Sequence, residues 1–225
     1  MRTFLAIFTL VMLQTGAGRA EVRPVIKVEP ITITSPADIA ATVRNANELM
    51  RAQHEVPLFL RAYFSPTLTG EEMEGFLLSP SLTMAGLLNN EQQFVADPAS
   101  QVLREKLRAI SRTGPARIFK SIRFDGTHSP GWLNNYVLHA SDETELLACV
   151  ERLAASLTFD ENEPVYLNVF RLISGPGSET HFVSINAGSA QALGDQIDQL
   201  TTLPDPLDSP TIRVLSRTIY SEARP

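Results

Sequence analysis

A single cysteine, Cys149, stands among 225 residues, so no disulfide can form within the chain and stability rests on packing alone. Its place beside a helical apolar stripe suits a buried small hydrophobe. Lysine is scarce: Lys27, Lys106 and Lys120 are the three lysines among 19 basic residues, and no segment gathers Lys and Arg into a cluster. With a formal charge of −6, that argues against nucleic-acid backbones and anionic membrane surfaces as partners. There is no H-E-x-x-H, no paired C-x-x-C, no phosphate loop, no dinucleotide fingerprint and no G-x-S-x-G. The acidic run Asp160-Glu161-Asn162-Glu163 offers too few oxygen ligands in a defined spacing for calcium and reads as a solvated loop. No metal site and no cofactor is therefore expected.

Long apolar runs are few as well. Phe4 to Leu13 follows Arg2 and precedes the small residues Gly18 and Ala20, the pattern of a cleavable secretory signal over residues 1–20. That run is too short to span a bilayer comfortably, for which roughly 20 residues are needed. The expected mature chain starts at Glu21 and is secreted or periplasmic, with no membrane insertion after cleavage. Without Arg2 and Arg19 it carries 17 basic against 25 acidic residues, a formal charge of −8.

What the chain does have is an internal repeat at an offset of 107 residues. The apolar stripe Ile39, Val43, Ala46, Met50 on a helix expected over Ser35 to His54 is answered by Leu146, Val150, Leu153, Leu157 on Asp142 to Thr158. Ser35 and Asp142 stand at the matching N-cap positions. Pro57-Leu58-Phe59-Leu60 is answered by Pro164-Val165-Tyr166-Leu167. Between these landmarks the first half reads as a strand from Lys27, a helix, strands over Pro57 to Ser65 and Gly75 to Ser79, helical segments opened by Ser81 and broken at Asn89-Asn90 and at Asp97-Pro98, and a strand from Arg117 to Phe124. The second half repeats the order: Leu133 to Ala140, helix, Pro164 to Ile173, a turn at Gly175-Pro176-Gly177, His181 to Asn186, a helix over Ser189 to Thr202, and a strand from Ile212 to Tyr220. The stretch Gln92 to Ile110 has no counterpart there. The division is a first repeat over 21–126, a linker over 127–132 and a second repeat over 133–225.

Each half is β-α-β-β-α-β, the ferredoxin-like order, and one such unit leaves a sheet face bare that a second must cover. On that ground the chain resembles the dimeric α+β-barrel superfamily, here as a tandem duplication whose antiparallel sheets pack as an intramolecular dimer. The resemblance implies a central space between the sheets and a range of activities: cofactor-free monooxygenases, haem-handling enzymes, isomerases and binding proteins. The fused pair would suffice as a monomer.

Strand alternation sorts the side chains by face. Leu58, Leu60, Ala62, Phe64 and Val165, Leu167, Val169 belong under the helices. Phe59, Arg61, Tyr63 and Tyr166, Asn168, Phe170 then face the central space, joined by Val137, His139, Phe182, Ser184 and Asn186. An aromatic wall with a few polar groups suits a small organic ligand, although packed sheets require aromatic filling in any case. His139 is the candidate general base, and the helices carry no histidine facing the space that could ligate haem. Arg117, Arg123, Arg213 and Arg217 either bind an anion or pair with carboxylates. Three functions stay open: binding of a small apolar or aromatic ligand between the sheets, a cofactor-independent monooxygenase- or isomerase-like activity, and a non-catalytic protein-interaction module using Gln92 to Ile110.

Overall fold

The computed structural model describes residues 23–33, 36–53, 60–65, 73–128, 131–157, 163–202, 207 and 209–223. The expected signal segment, Ser35, Phe59 and the acidic run before Glu163 lie outside the described residues. The first half comprises β1 (Val25–Ile33), α1 (Pro36–Gln53), β2 (Arg61–Phe64), β3 (Met73–Ser81), α2 (Met84–Ala96), α3 (Pro98–Ile110), a short β4 (Ser111–Thr113) and β5 (Arg117–Phe124). The second comprises β6 (Trp132–Ala140), α4 (Glu143–Ser156), β7 (Tyr166–Ser174), β8 (His181–Ala187), α5 (Ala190–Thr202) and β9 (Ile212–Glu222).

Within each half the strands follow the ferredoxin-like order: β2-β3-β1-β5 in the first and β7-β8-β6-β9 in the second, all antiparallel. The halves then join edge to edge. β5 runs against β7 from Ile118↔Ser174 to Phe124↔Asn168, and β2 meets β9 at Tyr63↔Glu222 and Phe64↔Ser221. Eight strands thus close into one barrel, with β4 attached outside the ring to the end of β1. Closure satisfies backbone groups that two facing but separate sheets would leave on open edges.

The helices cover the outside, where the repeated stripes do their work. Ile39 and Val43 of α1 pack with Ala62, Phe64, Leu77 and Leu107, while Leu146, Val150 and Leu153 of α4 pack with Leu138, Leu167 and Val169. The three α4 residues are fully buried. Each such side chain contributes about 1.5–3 kcal/mol relative to exposure. Cys149 lies in the same cluster, its thiol pushed up by burial and by the hydrogen bond to Glu145 against the pull of Arg152, which suits an inert core residue.

Local chemistry explains the element ends. Asp142 caps α4 by accepting from the N–H groups of Thr144 and Glu145 at 2.9 and 3.1 Å. Asp97 ends α2 and, by accepting from Ser100 N at 2.7 Å, starts α3, with Pro98 as its first residue. Two expectations are corrected here. Ser81 ends β3 and the cap of α2 is Thr83, which accepts from Gly86 N; and α2 passes through Asn89-Asn90 without a break. α2 buries only Leu87, whereas α3 sends Leu107 into the first outer core.

Candidate functional site: the barrel interior

The barrel encloses a cavity of about 420 Å³. Its walls follow from strand alternation: odd positions of β6 and even positions of β7, β8 and β9 point inward. Aromatic rings gather at the two seams. At the β2–β9 seam Phe76 stacks on Tyr63 at 5.0 Å and meets Tyr220 edge-on at 4.8 Å. At the β5–β7 seam Phe182 stacks on Phe170 at 4.5 Å and meets Phe119 edge-on at 4.8 Å. Such pairs add about 0.5–1.5 kcal/mol each beyond burial. Between the seams the first half supplies aliphatic Ile26, Val28 and Leu78, and the second supplies Asn135, Ser184 and Thr218 among the apolar Leu133, Val137 and Leu215.

Two arginines reach the cavity, each beside a carboxylate. Arg117 pairs with Glu179, itself 9% exposed, and donates to the Pro176 carbonyl at 3.1 Å. Gly177, at φ +130°, has no side chain to obstruct that carboxylate, so the turn glycine serves the ion pair as well as the chain reversal. Arg61 lies 3.8 Å from Glu222 and donates to Thr127 Oγ1 and His128 O at 3.3 Å. Burial pushes the phenols of Tyr63 and Tyr220 up, against the opposing effects of Arg61 and Thr218, so both are protonated donors near neutrality.

Residues 125–128 after β5 lie against the end of β7 and β8, with the His128 ring over Tyr166. Two asparagines fasten them. Asn168 accepts from Asp125 N at 3.0 Å and Gly126 N at 3.4 Å and donates to Gly126 O at 2.8 Å; Asn186 accepts from His128 N at 2.6 Å.

Of the residues expected at the site, Arg61, Tyr63, Asn168 and Phe170 line the cavity, as do Val137, Phe182, Ser184 and Asn186. Phe59 lies outside the described residues. Tyr166 has the inward parity but does not reach the cavity: the linker covers it, with the His128 ring 4.8 Å away. His139 also has the inward parity, yet β6 runs past the end of the barrel before reaching it. It is exposed, bonded to the Ser178 carbonyl at 2.9 Å and next to Arg213 across β9, so the inward placement expected for a base is corrected. Arg123 pairs with the carboxylates of Asp125 and Glu151, whereas Arg217 stacks on Tyr136 and donates to the Asn134 amide oxygen. Sequence reasoning missed Phe76, Asn135, Glu179, Thr218 and Tyr220. The period-two pattern Ser216, Thr218, Tyr220 was the available signal for β9.

His181 faces the outer core, 3.2 Å from Glu143 and near Arg171 and His139. Burial lowers its pKa below 6.5, with Glu143 opposing, so the neutral ring favours the folded state. As pH falls below 6.5 the unfolded chain takes up this proton first, and stability declines until the folded-state pKa is passed. His181→Gln should flatten the fall in unfolding free energy as pH drops through the unfolded-state value of 6.5, a component of at most about 1.4 kcal/mol per pH unit. An unchanged slope in denaturant titrations at several pH values would remove this role.

Among the described residues no group of three His, Cys, Asp or Glu side chains could hold a metal ion. Haem does not fit the described donors either: among the described residues the cavity lining contains no His, Cys or Met, and Tyr63 and Tyr220 are held as phenols.

No protein-family model and no curated protein sequence matches the chain. Among solved structures it is similar to a Fusobacterium nucleatum protein described as a "putative monooxygenase", with TM-score 0.59 and 8% identity over 91% of this chain and 94% of that one. A Lactobacillus acidophilus protein with the same description has TM-score 0.54 and 12% identity over 89% and 94%. Chlorite dismutase from Candidatus Nitrospira defluvii, complexed with imidazole, has TM-score 0.51 and 8% identity over 89% and 91%. At these identities the likeness is one of fold. The molecule is an α+β protein of the dimeric α+β-barrel class, with both ferredoxin-like units in one chain.

Proposed function

We propose that this protein is exported, to the periplasm or outside the cell, and holds a small, largely apolar or aromatic molecule inside its barrel. The observation that carries the reading is the 420 Å³ cavity walled by aromatic pairs at both seams, with Arg61 and Tyr63 at its edge. A filled interior would have served stability alone; an apolar space with convergent polar groups suits a ligand. The test is native mass spectrometry of the protein produced with its own N-terminus and recovered from the periplasm. The expected result is a polypeptide mass beginning at Glu21 together with a bound small-molecule mass. Recovery of the protein only from the cytoplasmic fraction, with residues 1–20 retained, would refute the export reading, and an apo mass that gains nothing from a panel of small aromatic compounds would refute the binding one.

A second reading, a cofactor-independent monooxygenase- or isomerase-like enzyme, draws on the fold shared with proteins described as monooxygenases. Its acid–base group would be Glu179 or Tyr63, since His139 opens onto the surface.

A further inference from the structure

We infer that the occupant of the cavity is an uncharged, flat aromatic molecule with a hydrogen-bonding group on one edge, and that Asn135, with Ser184 beside it, receives that edge. This rests on the cavity-binding reading above.

The pairing register places Thr218, Asn135, Ser184 and Asn168 as direct cross-strand neighbours along one row over β9, β6, β8 and β7. All four line the cavity. Asn168 is engaged elsewhere, holding the linker, and Thr218 lies beside the Tyr220 phenol. Asn135 Oδ1 is buried without a hydrogen-bond partner, and so is Nδ2 of Asn186, which is 1% exposed and sits one inward position along β8 from Ser184. Both of these atoms are shut off from the cavity, Asn186 Nδ2 lying against Gly131, so a polar ligand edge would meet the parts of the Asn135 and Ser184 side chains that line the space.

The rest of the lining limits the occupant further. Around the ring β6 and β8 stand four strands from β1 and β3, so the polar row looks across at Ile26, Val28 and Leu78. Aromatic pairs bound the space on the two remaining sides, a slot suited to a planar ring. Charge is disfavoured because Arg117 already faces Glu179 and Arg61 faces Glu222, so an anion would enter as the unpaired charge.

Equilibrium dialysis of the full chain against naphthalene, 2-naphthol and 2-naphthoate tests this directly. A purely apolar cavity would rank naphthalene first. The expected order is 2-naphthol about tenfold tighter than naphthalene, with 2-naphthoate weakest. Ser184→Ala should narrow the preference, and Asn135→Leu with Ser184→Ala should bring the two neutral compounds within about twofold while naphthalene binding is retained. If naphthalene or 2-naphthoate binds the unaltered protein best, or Ser184→Ala and the double variant keep the full preference for 2-naphthol, the edge assignment falls while the cavity reading stands. If none of the three binds the folded protein, the cavity reading fails and this inference with it.

Discussion

Replacing Val28 with tryptophan abolishes binding of small aromatic compounds, seen as a loss of about 100-fold or more in affinity, in a protein that still unfolds cooperatively. Val28 lies on β1 with its side chain in the cavity, four strands around the ring from Asn135. An indole there occupies space that a ligand would otherwise fill, and a steric block of this kind is not relieved by higher polarity or by pH. Because the position borders empty volume, overpacking costs no more than the usual range of about 1–3 kcal/mol for an added side chain in a packed core. The comparison is dialysis of 2-naphthol and naphthalene against both proteins, with thermal unfolding as the control. Unchanged affinity with an intact fold would place the ligand outside the barrel.

Asn168→Ala produces the second large effect, and it falls on stability. Sequence alternation puts Asn168 at the ligand face, and it does line the cavity, but its amide is committed to the backbone of Asp125 and Gly126. Alanine orphans these backbone groups, which lie against the end of β7, and a cost of about 2–4 kcal/mol follows. For a domain of this size that corresponds to a fall of roughly 5–15 °C in melting temperature. Were Asn168 chiefly a ligand contact, the melting temperature would hold and only affinity would fall.

These two residues show why the site was partly legible. Alternation is a local property, so Arg61, Tyr63, Asn168, Phe170 and Phe182 could be assigned to the inner face from β-branched and aromatic spacing alone. How far along a strand the barrel extends is not local. His139 and Tyr166 share the correct parity with their neighbours, yet one lies beyond the mouth and the other beneath the linker. Likewise Thr218, Asn135, Ser184 and Asn168 are unremarkable polar residues on four separate strands until the register aligns them. The cap at Thr83 was obscured by a neighbouring serine of equal capping ability, and Ser81 is consumed by its pairing with Val25.

The amino-acid sequence by itself determined the duplicated βαββαβ order and the two helical stripes, because hydrophobic periodicity reports which side of each element must be buried. Tertiary structure alone decided the rest. Edge pairing of β5 with β7 and of β2 with β9 made one closed barrel out of two sheets, set the volume inside it and placed a carboxylate beside each cavity arginine. Those pairings join residues more than 40 positions apart, where no local periodicity constrains the partner, and closure selects the register that satisfies both edges at once.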